Sequence, residues 1–250
     1  MRQLGFHVAK SIIVVATVSF VALSALGAGV DVDQSLQQSD QSYRNRDMTS
    51  DAAELAAAQR QGADPYELKW RWARHHFAIA DASDDADIKE EHGKIGWDNA
   101  REAIALRPDG VQGHFWGAAA LGEYSQGVGI LKALAKGLAP KFEEHCKNVI
   151  RIDPNYEMGG GARAFGRYYY MLPWPKRDLK RSIGLLDEAI RRGPNKTRNH
   201  FYLAESLVAD DQKGRAAGVL QQCVASADVP EDPVDNRRFR LACKQLLGHL

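Results

Sequence analysis

The chain has 250 residues, with 33 basic and 32 acidic side chains and a formal net charge of +1. Hydrophobic residues make up 44% of the chain and charged residues 26%, which is ordinary for a soluble globular protein. Because neither charge is in excess, the composition does not favour an anionic membrane surface or nucleic acid as a partner, and we expect no nucleic-acid partner.

The N-terminus differs from the rest of the chain. Arg2 and Lys10 come before an uncharged apolar stretch at residues 11–30. A basic start, an apolar run and small residues are typical of a secretory signal, so residues 1–27 are predicted to be a signal peptide. The alternative is an uncleaved membrane anchor, since about 20 apolar residues can span a bilayer. Either interpretation predicts an exported protein of the periplasm or cell envelope.

The remainder divides into a short lead-in and one helical domain. Residues 28–50 are mostly polar and lack apolar periodicity after residue 30, so they are predicted to be a flexible lead-in. Residues 51–250 form the predicted helical repeat domain. Apolar side chains there recur every three or four residues, as on one face of a helix, for example at Tyr66, Trp70, Ala73, Phe77 and Ala80. The fold class is therefore predicted to be all-α.

Prolines mark an internal repeat. Three similar helical segments end just before Pro108, Pro154 and Pro194, which are 46 and 40 residues apart. Proline cannot continue a helix, and tetratricopeptide repeats place one after the second helix of each pair. The pattern predicts a tetratricopeptide-like stack of about four helical hairpins plus a C-terminal capping helix. The predicted hairpins span 65–107, 111–153, 160–193 and 198–226, and the predicted cap spans 233–248.

One dense stretch, residues 152–175, joins the second and third predicted hairpins. Pro154 closes one unit, and Gly159, Gly160 and Gly161 are predicted to form a structural turn into the next helix, which Pro173 ends. Glycine suits such a turn because it adopts positive φ and allows close backbone approach.

The same stretch carries a family resemblance. The residues concerned are Trp116, Ala118, Leu121, Gly122, Asp153, Pro154, Tyr156, Gly159, Gly160, Arg163, Gly166, Tyr168, Tyr169, Leu172, Pro173 and Asp178. Together they resemble the T-component family of TRAP transporters, which are tetratricopeptide-like periplasmic proteins. The resemblance implies a non-enzymatic homotrimer that associates with a periplasmic substrate-binding protein for the uptake of organic anions. The alternative is a generic cell-envelope helical-repeat scaffold for an unrelated complex.

Four residues are predicted to bind a ligand or partner. Trp116 and Tyr169 fall on the first helices of hairpins, which line the concave side of such repeats, and exposed aromatic side chains are favoured in binding patches. Arg163 and Arg167 lie near a helix N-terminus, where a small organic anion could bind. The alternative for Arg163 is a structural role in the turn, held by a carboxylate.

Other chemistry is not predicted. The glycines fail the phosphate-loop pattern, because Arg167 and Tyr168 stand where Lys and Ser or Thr are needed. The adjacent His75 and His76 point about 100° apart on a helix and cannot easily share one metal ion. We therefore predict no catalytic residue, cofactor or metal. Cys223 and Cys243 either form a disulfide or are, like Cys146, small buried side chains.

Overall fold

A computed structural model describes residues 31–250, so the predicted signal peptide at 1–27 lies outside the described residues. Within that range there are twelve helices and no strand, which confirms the all-α prediction. The helices are α1 (31–44), α2 (Met48–Arg60), α3 (Pro65–Asp81), α4 (Ala86–Leu106), α5 (Val111–Gly127), α6 (Ile130–Ala135), α7 (Leu138–Ile152), α8 (Gly160–Met171), α9 (Leu179–Arg192), α10 (Thr197–Ala209), α11 (Lys213–Ala225) and α12 (Pro233–Leu247).

The stack of hairpins with a C-terminal capping helix is also confirmed. Helices α3 and α4 pair, as do α5 and α7, α8 and α9, and α10 and α11, while α12 packs on α10 and α11. Pro108, Pro154 and Pro194 each lie two residues beyond the end of a second helix. The prolines therefore end the helices for the reason the sequence suggested, since a helix cannot continue through them.

The second hairpin is more complex than predicted, because α6 interrupts its turn. Gly129 and Gly137 flank this short helix with φ of 86° and 69°. Both values lie in the left-handed region, which glycine enters at little cost. The two glycines thus allow a third helix between the paired ones.

The predicted flexible lead-in at residues 28–50 does not match the described part of that segment, where α1 forms and packs on α3. Leu36 and Tyr43 are buried and lie on one face of the helix, seven residues apart. Asp40 of α1 accepts hydrogen bonds from Arg71 and Arg74 of α3 at 2.9 and 2.7 Å. The segment is nevertheless polar in composition, because most of its other polar side chains, such as Gln34, Gln37 and Gln41, are exposed to solvent on the opposite side of the helix from Leu36.

Two main groups of buried residues form the core. The group around α3, α4, α5 and α7 is rich in aromatic side chains and includes Trp97 and Trp116. The group around α9 to α12 is mostly aliphatic and contains a disulfide between Cys223 and Cys243, while Cys146 is buried and unpaired in the first group. The disulfide decides the question that the sequence left open for these two cysteines.

The helices of the first group approach closely. A Cβ atom added at Gly93 of α4 would lie 2.3 Å from the backbone nitrogen of Tyr124 in α5.

No helix among residues 31–250 combines the length and the apolar character needed to cross a bilayer.

Candidate functional site

The concave side of the stack encloses a cavity of about 410 Å³. Its walls come from the first helices of the hairpins, from α6 and α7, and from α12. They include the aromatic side chains Phe77, Trp116, Tyr168, Tyr202 and Phe239. Pockets that bind ligands commonly have this size and mix apolar walls with a few polar groups. The cavity is therefore the candidate binding site of the described chain.

Trp116 forms part of its aromatic wall. The side chain is 2% exposed and packs against Tyr43, Phe77 and Phe115, with ring centroids 5.7, 5.6 and 4.8 Å away. Its indole Nε1 has no hydrogen-bond partner among the described residues. A buried donor without an acceptor is uncommon in proteins and costs stability.

Arg163 lies on α8, also on the cavity wall. It is 7% exposed, and its Nη1 donates to the backbone oxygen of Glu157 at 3.0 Å and to Oδ1 of Asn199 at 3.1 Å. Among the described residues, no carboxylate oxygen lies within 4.0 Å of the Arg163 guanidinium, which is the distance limit for an ion pair. The predicted carboxylate partner of Arg163 is therefore wrong. Burial, reinforced by Arg198, lowers the pKa of the Arg163 guanidinium.

Arg163 also supports the turn that precedes α8. Glu157, Met158 and Gly159 have φ of 50°, 55° and 80°, so three consecutive residues are left-handed. Such conformations are strained for residues other than glycine and persist only when surrounding contacts hold them. Besides Arg163, Asn199 holds this turn, since its Nδ2 donates to the backbone oxygen of Met158 at 3.0 Å.

The predicted turn residues lie at this joint between hairpins. A Cβ atom at Gly159 would be 2.8 Å from the oxygen of Ala189, and Gly160 and Gly161 are the first residues of α8. Pro154 follows the end of α7, and Pro173 lies just beyond α8.

Arg167 reaches the same cavity, but Tyr169 does not. Arg167 pairs with Glu205 at 2.7 Å, and its guanidinium lies over the rings of Tyr170 and Tyr202 at 4.7 and 4.4 Å. The hydroxyl of Tyr169 instead accepts a hydrogen bond from Arg181 at 3.2 Å, away from the cavity lining. The structure therefore brings together three of the four predicted binding residues.

A cluster of ion pairs closes one side of the cavity by joining the two ends of the stack. We call it the end-to-end ion cluster, and it consists of Arg46, Asp81, Lys196, Arg198, Asp232, Asp235 and Arg238. Arg198 of α10 pairs with Asp81 of α3 at 2.8 Å and also with Asp235 of α12. These partners are far apart in sequence, so the contacts hold the first hairpin against the last helix.

The other members extend the same cluster. Lys196 pairs with Asp235 at 3.0 Å and with Asp232, and Arg46, just beyond α1, lies 3.4 Å from Asp232. Arg238 pairs with Asp81 at 2.9 Å from the edge of the cluster. The N-terminal segment, α3, α10 and α12 thus meet through charged side chains.

The electrostatics of the cluster are set by a balance between burial and pairing. Burial opposes the ionisation of Asp235, but Arg198 and Lys196 outweigh it and hold the pKa of Asp235 well below its usual range. Burial likewise opposes the ionisation of Asp81, and Arg198 again keeps its pKa low. Both carboxylates are therefore charged at neutral pH, and each neutralises a buried cation.

Glu157 differs from these carboxylates, although it too lines the cavity. Burial raises the pKa of Glu157 despite the nearby charges of Lys196 and Arg163. It also makes no ion pair within 4.0 Å in the described chain. The cavity thus contains both a carboxylate and a cation, Glu157 and Arg163, that lack a charged partner at contact distance.

No pattern in the sequence pointed to the end-to-end ion cluster or to Asn199. Arg198 and Asp81 are separated by 117 residues, and Arg46 and Asp232 by 186.

Within the part of the chain that the structure describes, no group of three or more His, Cys, Asp or Glu side chains could hold a metal ion.

Comparisons with known proteins place the chain in a different family from the one its turn motif suggested. A family model described as Regulator of microtubule dynamics protein 1-3 matches residues 35–177, more than half of the chain. Regulator of microtubule dynamics protein 3 of Xenopus laevis is 28% identical over 163 residues, which are 63% of this chain and 33% of the relative. Its Bos taurus counterpart is 23% identical over 176 residues, or 69% of this chain and 36% of the relative. The chain thus spans about a third of the length of these relatives.

A solved structure supports the repeat architecture. The crystal structure of a thermophilic TPR protein from Thermus thermophilus aligns with a TM-score of 0.65 and 16% sequence identity. The alignment covers 86% of this chain and 99% of that chain. At this identity the likeness shows the fold alone, and it confirms the tetratricopeptide-like prediction.

These findings correct several predictions. The resemblance to the TRAP T-component is wrong, and with it the substrate-binding protein as partner and the role in organic-anion uptake. The prediction of an exported periplasmic or cell-envelope protein, based on a signal peptide at residues 1–27, also conflicts with the family match. The alternative of a helical-repeat scaffold comes closer, though without its cell-envelope setting. By the extent of the match, the chain belongs to the family of regulator of microtubule dynamics proteins 1–3.

Proposed function

We propose that this chain is a non-enzymatic binding module that holds a segment of a partner protein in its concave cavity. The observation that carries the proposal is the cavity of about 410 Å³ that is lined by the first helices of the hairpins together with α6, α7 and α12. A space of this size accepts a few side chains of an extended segment. Aromatic walls supply apolar contact area, which dominates the energetics of most binding surfaces.

The polar groups of the cavity suit binding better than catalysis. Asp81, Asp232 and Asp235 each pair with arginine or lysine, and Arg167 pairs with Glu205. Side chains that neutralise one another hold a shape, whereas an acid or base in catalysis needs to exchange its proton with a substrate. Arg163, Glu157 and the indole of Trp116 remain as groups that a bound segment could satisfy.

The names of the relatives suggest what this binding serves. Those relatives are named regulators of microtubule dynamics, and we propose the same role for this chain, with the cavity as the site that engages the partner. The role of the whole relatives extends to this chain only as a proposal, since it spans about a third of their length.

The test is the growth and shortening of microtubules from purified tubulin, measured with and without the full chain. Ala119 lines the cavity, and Ala119→Phe fills part of it, whereas Ala53→Phe places the same ring on an exposed position of α2. We expect the wild type and Ala53→Phe to change the rates and Ala119→Phe to lose the effect. A wild type without effect contradicts the microtubule role, and equal effects of the two variants contradict the role of the cavity.

A further inference from the structure

One exposed tryptophan stands apart from both the core and the cavity. Trp174 lies in the turn between α8 and α9, its side chain is 88% exposed, and it does not line the cavity. It is the most exposed of the large hydrophobic side chains among residues 31–250. An aromatic ring of this size in water is favoured at positions that become covered by a partner.

The turn that carries Trp174 is ordered. The backbone nitrogens of Lys176 and Arg177 donate to the oxygen of Pro173 at 2.9 and 3.1 Å, and that of Asp178 donates to the oxygen of Tyr169 at 3.3 Å. Prolines on both sides of Trp174 further restrict the backbone. The backbone that carries the indole is therefore ordered before binding, which reduces the entropy lost on binding.

Basic side chains surround this turn. Lys176, Arg177 and Lys180 are exposed, and none forms an ion pair with a carboxylate in the described chain. The one acidic residue among them, Asp178, is engaged by Arg181 at 3.3 Å and also caps α9 through the backbone nitrogen of Arg181. We call Trp174, Lys176, Arg177 and Lys180 the Trp174 platform.

Arg177 shows how the platform can bind carboxylates. Its guanidinium lies over the ring of Tyr170, 4.6 Å from the centroid. Stacking on an aromatic face orients the planar group and leaves its N–H edges available for a bidentate carboxylate. The side chain is thus prepared for an acidic partner before that partner arrives.

We propose that the Trp174 platform is a docking surface for an acidic, Asp- or Glu-rich segment of a partner protein. The three unpaired cations supply the charge complementarity, and the indole supplies apolar area against the aliphatic stems of the acidic side chains. An anionic membrane is the less fitting occupant. A surface helix that binds membranes carries a whole apolar face, whereas the platform has a single large apolar side chain.

The test uses the full chain and a fluorescein-labelled peptide of Glu and Gly residues, with a Gln and Gly peptide as the neutral probe, followed by fluorescence anisotropy. We expect the Glu peptide alone to bind, and binding to weaken as salt rises from about 0.05 to about 0.3 M. Trp174→Ala is expected to raise Kd about tenfold. Trp174→Phe is expected to recover most of the affinity, because it restores an aromatic ring.

The charge contribution is tested with matched variants. Lys176→Gln, Arg177→Gln and Lys180→Gln together are expected to raise Kd at least about tenfold. The control removes equal charge elsewhere, also by substitution with Gln, from three exposed cations that form no ion pair in the part of the chain that the structure describes: Arg60, Lys213 and Lys244. Circular dichroism confirms that both variants are folded.

Two outcomes overturn the proposal. One is equal loss of binding in the platform and control variants, which would mean that net charge alone attracts the peptide. The other is binding to vesicles of phosphatidylcholine with about 30% phosphatidylserine but not to the peptide, which would assign the surface to a membrane. Binding of the Glu peptide that depends on the platform and not on the control sites supports it.

Discussion

Two groups of basic side chains on this chain share their chemistry and differ in their surroundings. Lys196 and Arg198 of the end-to-end ion cluster are almost fully buried, and each contacts two aspartates. Lys176 and Arg177 of the Trp174 platform are exposed, and neither contacts a carboxylate within residues 31–250. The charge of the first group is neutralised by partners within the chain, while the charge of the second remains available.

The difference follows from desolvation. A buried cation without a counter-ion is costly, so Lys196 and Arg198 are stabilised by aspartates that the fold supplies. Arg163 is buried without such a partner and is held instead by a backbone oxygen and an amide oxygen. An exposed cation is hydrated and needs no partner, and pairing it on the surface contributes about 1 kcal/mol or less. Buried pairs therefore indicate how the fold is closed, whereas exposed unpaired charges indicate a binding surface only where an exposed apolar side chain such as Trp174 lies beside them.

The largest effect is expected for Asp235→Ala. The substitution leaves Arg198 and Lys196 buried with fewer counter-ions, so we expect the free energy of unfolding to fall by about 3–5 kcal/mol. Urea denaturation measures the change. The matched control is Asp228→Ala, because the side chain of Asp228 is 82% exposed and has one ion pair, with Arg240 at 2.9 Å. A loss at Asp235 no larger than at Asp228 would break the distinction between the two groups.

The second prediction concerns how the effect of Asp235 depends on pH. Its folded-state pKa is lowered, so its contribution is complete above the unfolded-state pKa of about 3.9 and is lost as the pH falls below that value. The difference in unfolding free energy between the wild type and Asp235→Asn should stay constant from about pH 7 to about pH 5 and shrink below about pH 4.

Comparison with Asp235→Asn separates this effect from the buried histidines. Burial lowers the pKa of His145 and of His200 to about 4. The unfolded chain therefore takes up protons at these sites first, and both proteins lose stability as the pH falls from about 6.5 to about 4. Because that loss is common to wild type and variant, it cancels in the difference. A difference that already declined near pH 6 would contradict the assignment to Asp235.

A smaller effect is expected at the edge of the cluster. Arg238 pairs with the buried Asp81, but its own side chain is 53% exposed. Asp81 retains Arg198 when Arg238 is removed, so Arg238→Ala should lower the unfolding free energy by only about 0–1 kcal/mol. Chemical denaturation at neutral pH checks this value. A loss as large as that of Asp235→Ala would contradict the expectation that exposed members of the cluster contribute less to the unfolding free energy than buried ones.

The fold was largely predictable from local signals, because helical periodicity and helix-ending prolines act over a few residues. The helix α1 was not predictable in this way. Its polar residue Asp40 finds its partners on α3, about 30 residues away, and a short window of sequence does not show that pairing. The end-to-end ion cluster was not predicted for the same reason, because its partners come from distant parts of the chain.

The site was predictable in part. Trp116, Arg163 and Arg167 converge because the first helices of successive hairpins face the same side of the stack. Tyr168 lines the cavity and Tyr169 does not, because neighbouring residues on a helix point about 100° apart. Without the exact helix orientation, sequence could not choose between them.

The family was misassigned because the motif around residues 153–173 consists of residues that the fold needs at this joint between hairpins, and such residues do not identify a function. Gly159 meets the need for a left-handed residue at close backbone approach, and Pro154 and Pro173 lie beyond the ends of helices. Any tetratricopeptide-like stack with this joint can need the same residues, whatever it binds. Function has to be argued from the site, since one fold serves many functions.

The smallest effect on stability is expected where the effect on binding is largest. Replacing Lys176, Arg177 and Lys180 together by Gln removes no ion pair among residues 31–250, so the unfolding free energy should change by no more than about 0.5 kcal/mol in total. Mutual repulsion of the three cations is relieved at the same time, so the change can even be stabilising at low salt. Urea denaturation at two salt concentrations measures both the change in unfolding free energy and the part of it that comes from repulsion among the three cations. A large destabilisation would mean that these cations hold the turn between α8 and α9 together, and the contrast between charges that close the fold and charges that await a partner would then fail.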